Sequence, residues 1–282
     1  MQNKYKCCYT YQSFMAADFY HPRSPVLAQY IEGFYFIRTD KKYPFEYYTF
    51  PNNYCILSLL NNVELNITGG LVEIKKSQHK NQISSLTFQY REPLNVVYLE
   101  PVEELTIYFK PNGINFFFKN MEDFYHKKSM LNFNPFAEFK NLFFKVFEIF
   151  DRDAQVKYIE DQLLYLFQSS DEGLIENLLN DLETDLGIEE IAFKNDISRQ
   201  YLNQYIKLKL GKSPSEFRKI ARFRKSLTMM KNRNTTLTEV SYENLFFDQS
   251  HFNRDFKGLT TFSPKEFFQN TDLEKNNVWF ML

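Results

Sequence analysis

Residues 203–217, NQYIKLKLGKSPSEF, and residues 253–267, NRDFKGLTTFSPKEF, align without a gap. Asn203 pairs with Asn253, Lys207 with Lys257, Ser213 with Ser263, Pro214 with Pro264, Glu216 with Glu266 and Phe217 with Phe267. Unrelated segments of this length share roughly one residue by chance, so six identities mark a duplicated supersecondary unit. The apolar positions repeat as well, Leu202 with Phe252 and Ile206 with Phe256.

Working outward, each copy reads as helix, turn, helix. In the first, GIEEIAFKN is a short helix and Asp196-Ile197 a tight turn. Ser198 caps RQYLNQYIKLKL, and Gly211 stops it. In the second, LTEVSYEN is the short helix, LFF wedges the turn against the core, and Asp248 caps QSHFNRDFK. Ser-Pro-x-Glu-Phe follows both units, a capping box with proline at the first helical position. The first of those further helices, about Pro214 to Lys231, separates the units and carries Arg218, Lys219, Arg222, Arg224 and Lys225, a face suited to phosphate. At 1.5 Å per residue it spans about 25 Å, which puts two second helices within reach of successive major grooves, roughly 34 Å apart.

The preceding sequence differs in kind. From Pro25 to Tyr108 short runs, YIEGFYFI, YCILSLL, VELNIT, SLTFQY, LNVVYL and ELTIYF, are broken by Pro, Asn-Asn and Gly-Gly, the pattern of strands. From Asn134 to Leu186 the spacing turns helical: Phe143, Phe147 and Phe150, then Ile159, Leu163 and Leu166, then Leu174, Leu178 and Leu182. Asp151, Asp153 and Ser169-Ser170-Asp171 supply breaks and caps between three helices. The expected fold class is α+β, with four divisions: a β-rich region at 1–133 with an expected sensory role, a helical bridge at 134–182 that is a candidate for dimerisation, an all-α domain with two helix-turn-helix units at 183–270, and a tail at 271–282.

Composition narrows the function classes. The 282 residues carry a formal net charge of -1, and 18% are aromatic, as in a folded globular chain. Charge is uneven: residues 183–270 hold 15 Lys or Arg against 11 Asp or Glu, so that end is +4 and the remainder is -5. Cys7, Cys8 and Cys55 show neither metal nor disulfide-framework spacing, and His21, His79 and His126 are scattered, so no metal and no cofactor is expected. The amino-terminal segment lacks a signal-peptide core and no run reaches a membrane span, which points to the cytoplasm. No P-loop, nucleophile elbow or dinucleotide fingerprint appears, so an enzyme is not expected.

The stretch Leu186 to Phe268 resembles the DNA-binding domain of AraC/XylS bacterial transcription regulators. The likeness rests on FFDQSHFNRDFKGLTTFSPKEF, with DQSHF, R..FK and SP.EF in register, and on IS..YLN and G.SP.EF in the first unit. It implies sequence-specific binding of double-stranded DNA, control of transcription and contact with RNA polymerase. A small-molecule effector, a homodimer and an activating sign are further expectations, and no membrane partner is. Three positions depart from the family: Leu245 and Thr261 stand where glycines are usual, and Ile206 where phenylalanine is. HPRSPVLAQYIEGFYFI, the Pro51-Asn52-Asn53 turn and LTIYFKPNGINFFF resemble, more loosely, an uncharacterised amino-terminal domain of some of these regulators.

If Leu202 and Ile206 face inward, the outward residues of the first recognition helix are Arg199, Gln200, Asn203, Gln204 and Lys207. With Phe252 and Phe256 inward, the second presents Gln249, Ser250, Asn253, Arg254 and Lys257. Asn and Gln pair bidentately with adenine and Arg with guanine, while Lys more often meets phosphate. His251 reads as a packing or capping residue, and the aromatic runs FYFI and FFFKNMEDFY as core rather than as a ligand pocket. Two other functions fit the sequence: a DNA-repair methyltransferase-like regulator that uses Cys7 or Cys8 as acceptor, and an interaction protein whose double unit has lost DNA affinity through Leu245 and Thr261.

Overall fold

The computed structural model describes residues 7–11, 15–38, 44–126, 131–169, 173–230, 239–240 and 249–270. Among these residues ten strands come first, interrupted by the short helix α1 (Pro25–Tyr30). They are β1 (Cys7–Tyr11), β2 (Met15–Tyr20), β3 (Ile31–Arg38), β4 (Phe45–Thr49), β5 (Cys55–Asn61), β6 (Val63–Thr68), β7 (Leu71–Lys76), β8 (Gln82–Thr87), β9 (Leu94–Tyr98) and β10 (Glu103–Phe109). They build a six-stranded sheet, ordered β1-β2-β3-β10-β5-β8, and a four-stranded one, ordered β4-β9-β7-β6. Every pairing is antiparallel except that of β7 with β9. The Gly-Gly of the sequence is the β6–β7 hairpin turn, with φ of 56° at Gly69 and 86° at Gly70, which suits a tight two-residue loop.

Strand alternation places one set of residues on each face of the larger sheet. Phe34 and Phe36 of β3, Leu57 and Leu59 of β5, and Leu105, Ile107 and Phe109 of β10 face a helical layer. Tyr35 and Ile37, Ile56 and Leu60, and Tyr108 face the second sheet across the sandwich. Both faces are therefore buried, which is why these strands read as near-continuous apolar runs rather than alternating ones.

The helices expected to form one bridge are divided between two cores. α3 (Phe139–Phe143) and α4 (Arg152–Leu166) bury Phe139, Phe143, Val156, Ile159 and Leu163 against the six-stranded sheet. Asp151 caps α4, its carboxylate accepting from the Ala154 N–H at 2.7 Å. α5 (Gly173–Leu182) instead packs Ile175, Leu178 and Leu182 with the helices that follow. Apart from Phe150, which is 95% exposed, the Leu and Phe positions of these stripes are buried or half-buried within the chain.

Beyond the short α2 (Glu122–Tyr125), the last elements are α6 (Ile188–Lys194), α7 (Arg199–Leu210), α8 (Pro214–Met230), α9 (Gln249–Thr260) and α10 (Pro264–Asn270). Among the described residues no helix is long and apolar enough to cross a membrane.

Candidate DNA-binding surface

In the first unit α6 and α7 meet through the turn read from sequence, with Asp196 at φ 54°. Ser198 caps α7 by accepting from the Tyr201 N–H at 3.1 Å. Leu202, Ile206 and Leu210 of α7 and Ile191 of α6 are buried with α5 and Phe217. Asp181 of α5 fastens the unit, accepting from Lys194 Nζ at 2.6 Å and Asn195 Nδ2 at 2.9 Å. The Lys194 bond holds the Asp181 carboxyl below its usual value.

The second unit repeats this chemistry where it is described. α9 buries Phe252, Phe256 and Leu259 against Phe223 and Leu227 of α8 and Phe267 of α10. The Ser213 and Ser263 N–H groups each donate to the glutamate three residues on, at 2.9 Å, and the Glu216 and Glu266 N–H groups return the bond to the serine hydroxyls at 3.2 and 3.3 Å. Gly211, ending α7, has φ 71°, and Thr261, ending α9, has φ 67°. Thr261 thus takes the conformation that glycine takes in the other copy, at a backbone cost of roughly 1–2 kcal/mol for a residue with a Cβ. Leu245 and Asp248 lie outside the described residues.

These cores turn two polar faces outward. On α7, Arg199, Gln200, Gln204 and Lys207 are exposed and Asn203 is half-buried. On α9, Gln249, Ser250, Asn253, Arg254 and Lys257 are exposed. Two of these α7 side chains have internal partners: Arg199 Nη1 meets Glu189 Oε1 of α6 at 2.7 Å, and Asn203 Nδ2 donates to the Arg199 carbonyl at 2.8 Å. His251 sits 3.3 Å from Asp255 on the next turn. Sequence reasoning missed Tyr201, which is 46% exposed beside Gln200 and stacks on Tyr205 at 5.6 Å. Its position on the helical wheel marks it as outward, but a tyrosine there reads as core.

The spacer helix α8 departs from expectation. Arg218 donates to the carbonyl of Leu182, at 3.1 Å, serving the end of α5, and to that of Leu186, at 2.5 Å, in the segment that follows. Lys219 and Arg222 lie 3.4 and 3.6 Å from Asp255 of α9. Arg224 donates to the carbonyls of Phe50 and, at 2.9 Å, Pro51. Of the five cations predicted to face phosphate, Lys225 is the exposed one; the others tie the helix to its neighbours.

The Arg224 contact belongs to a seam between the β-sandwich and both units. The Pro51-Asn52-Asn53 turn after β4 enters the helical domain, where Phe50 is fully buried in the second unit's core, 5.1 Å from the Phe267 ring. Asn53 Nδ2 donates to the Phe217 carbonyl at 3.0 Å, and the buried Lys212 Nζ to the Asn52 carbonyl at 3.2 Å. Burial lowers the Lys212 pKa to about 8 and pushes the nearby Cys55 thiol up to about 12. Asn115 Nδ2 donates to the Lys209 carbonyl at 2.9 Å, completing the end of α7. Arg91 pairs with Glu216 at 2.5 Å. Burial pushes the Glu216 carboxyl up, but the Ser213 and Arg91 contacts outweigh it and the net shift is downward.

Comparison with known proteins bears on this surface directly. Residues 191–270 match the family described as helix-turn-helix domain. The carboxy-terminal region is an AraC-type helix-turn-helix domain. Over 101 residues the chain is also 29% identical to an uncharacterised HTH-type transcriptional regulator, YidL, of Escherichia coli (strain K12). That stretch is 36% of this chain and spans about a third, 34%, of the relative. Among solved structures, ToxT from Vibrio cholerae aligns over 84% of this chain and 97% of its own, at 13% identity and a TM-score of 0.44. Unsaturated fatty acid bound wild-type ToxT from strain SCE256 aligns over 83% and 93%, at 16% identity and a TM-score of 0.37. Within the AraC-type domain of this chain, α7 and α9 are the second helices of the two units, the elements that enter the major groove in helix-turn-helix proteins.

Proposed function

We propose that this chain is a sequence-specific transcription regulator of the cytoplasm, not an enzyme, which sets α7 and α9 into successive major grooves of duplex DNA and answers to an effector bound by its first domain. The observation that carries the reading is the pair of equivalent helices, buried on one side by the same pattern and polar on the other. Gln200, Asn203 and Gln204 in one, and Gln249, Ser250, Asn253 and Arg254 in the other, are suited to base edges; Arg199, Lys207 and Lys257 are suited to phosphate. Arg199 must leave Glu189 to do so, which costs little for an exposed pair. Contact with RNA polymerase follows from the same reading, since a bound regulator acts by recruiting or blocking it.

Selection of bound fragments from genomic DNA by the purified chain tests this. Wild type should enrich one motif with two half-sites. Gln200→Ala and Arg254→Ala should each relax the sequence requirement in one half-site, costing about 1–3 kcal/mol against the preferred base pair. No enriched motif at low salt would refute the reading.

A further inference from the structure

The interior of the sandwich is not a plain hydrocarbon core. Alternation along β10 sends Glu104, Thr106 and Tyr108 to the face opposite Leu105, Ile107 and Phe109, into a cavity of about 90 Å³ between the sheets. Glu104 is buried. Tyr98 OH donates to its Oε2, and Thr106 Oγ1 to its Oε1 at 2.7 Å. Ser58 on β5 lies 2.8 Å from the Thr106 hydroxyl. All these neighbours are neutral, and among the described residues no Lys, Arg or His forms an ion pair with Glu104. Such a carboxyl is costly to place in a core, and charged groups in protein interiors are ordinarily paired. Aromatic rings from four strands line the same space: Tyr35, Tyr47, Tyr98 and Tyr108. Ile67, which also lines the cavity, is 41% exposed.

We infer that this cavity takes a small organic ammonium ion, held against the tyrosine rings with its charge toward the Glu104 carboxylate. The inference rests on the effector-responsive reading above and names the class of effector. Ring faces attract cations most strongly where water is excluded, and the unpaired carboxyl supplies the missing counter-charge. A carboxylate ligand would meet the ionised Glu104 as a like charge and is disfavoured against that form. The other titratable groups facing Glu104 are the phenols of Tyr98, Tyr47, Tyr35 and Tyr108, none of them charged at neutral pH. Burial raises the Glu104 pKa in the free protein despite the hydroxyl bonds. Entry of an ammonium ion favours the ionised form, so binding releases a proton and tightens as pH rises through the free-protein value.

The cavity also touches the seam. Tyr90 lines it, and the Tyr90 hydroxyl donates to the Phe50 carbonyl at 2.5 Å while accepting from Asn52 Nδ2 at 3.0 Å. A ligand that shifts Tyr90 moves the loop whose phenylalanine fills the second unit's core.

The test is titration calorimetry on the full chain with choline and phenethylamine, each against its neutral counterpart, 3,3-dimethyl-1-butanol and 2-phenylethanol, and against phenylacetate. Runs in two buffers of different ionisation enthalpy count the protons released. The expected result is that an ammonium ligand binds about tenfold tighter than its neutral counterpart, releases protons, and loses that advantage in Glu104→Gln. Equal binding of cation and alcohol, preference for phenylacetate, or no heat from either cation would overturn the inference. The wild-type ligand comparison stands even if Glu104→Gln fails to fold. DNA binding, measured separately on the same preparation, distinguishes the two readings: cation binding without DNA binding would refute the regulator, and DNA binding without cation binding would refute the ligand class.

Discussion

The two helix-turn-helix units share their capping chemistry and differ in how the rest of the chain holds them. The first closes α7 with Gly211 and leans that turn on the sandwich, where a Cβ would stand 2.7 Å from the Phe88 ring and 2.9 Å from the Tyr125 ring. The second closes α9 with Thr261 in the same left-handed conformation and receives Phe50 into its core. The first unit is thus docked by its edge and the second is completed by a residue from another domain. Duplication conserved the local rules of helix ends, and the difference lies in long-range contacts that a repeat does not encode.

The largest expected effect breaks the second attachment. Phe50→Ala should cost about 3–5 kcal/mol, as large-to-small changes at fully buried aromatic sites do, and the loss should fall on the second unit. Urea unfolding followed by hydrogen exchange would show it: lost protection in α9 with α7 retained supports the account, and equal loss in both units contradicts the asymmetry. Next come the two turns. Gly211→Ala meets both a positive φ and two rings and should destabilise by at least about 1 kcal/mol, whereas Thr261→Gly should stabilise by up to about 1 kcal/mol by relieving the same conformation. Effects of the same sign in thermal unfolding would show that the turns are not equivalent.

A pH dependence at the seam is expected as well. The folded pKa of Lys212, about 8, lies below its ordinary value of 10.5, so between them the unfolded chain binds the extra proton. Stability should therefore gain a rising contribution from pH 8 to 10.5, absent in Lys212→Met. A wild type and variant with parallel stability curves would contradict burial of that ammonium group at the seam.

Much of the helical domain was legible because caps and stops are local. Ser198, Gly211, Ser213 and Ser263 fix helix ends through bonds to residues within a few positions, and the observed bounds of α7 match the reading. Six strands were likewise legible as apolar runs, while β1 and β2, and β4 and β7 with a single buried residue each, were not. The division of the bridge helices was hidden because an apolar stripe states that a face is buried and not what buries it. For the same reason Arg224 and Lys219 read as a phosphate surface: charge in sequence cannot reveal that a carbonyl of Phe50 or the carboxylate of Asp255 lies opposite. Pro51-Asn52-Asn53 was visible as a turn, but its insertion between the helical units depends on contacts more than 160 residues away in sequence. Glu104 gave no local signal, since a single carboxylate in a β-rich run reads as the solvent side of a strand.

The most direct test of the central claim is a hydroxyl-radical footprint of the intact chain on the DNA selected by wild type. Two protected patches on one face of the duplex, about one helical turn apart, with the patch assigned to α7 lost in Gln200→Ala and that assigned to α9 lost in Arg254→Ala, is the predicted result. A single patch sensitive to one variant only, or protection insensitive to both, would contradict a surface built from two equivalent recognition helices.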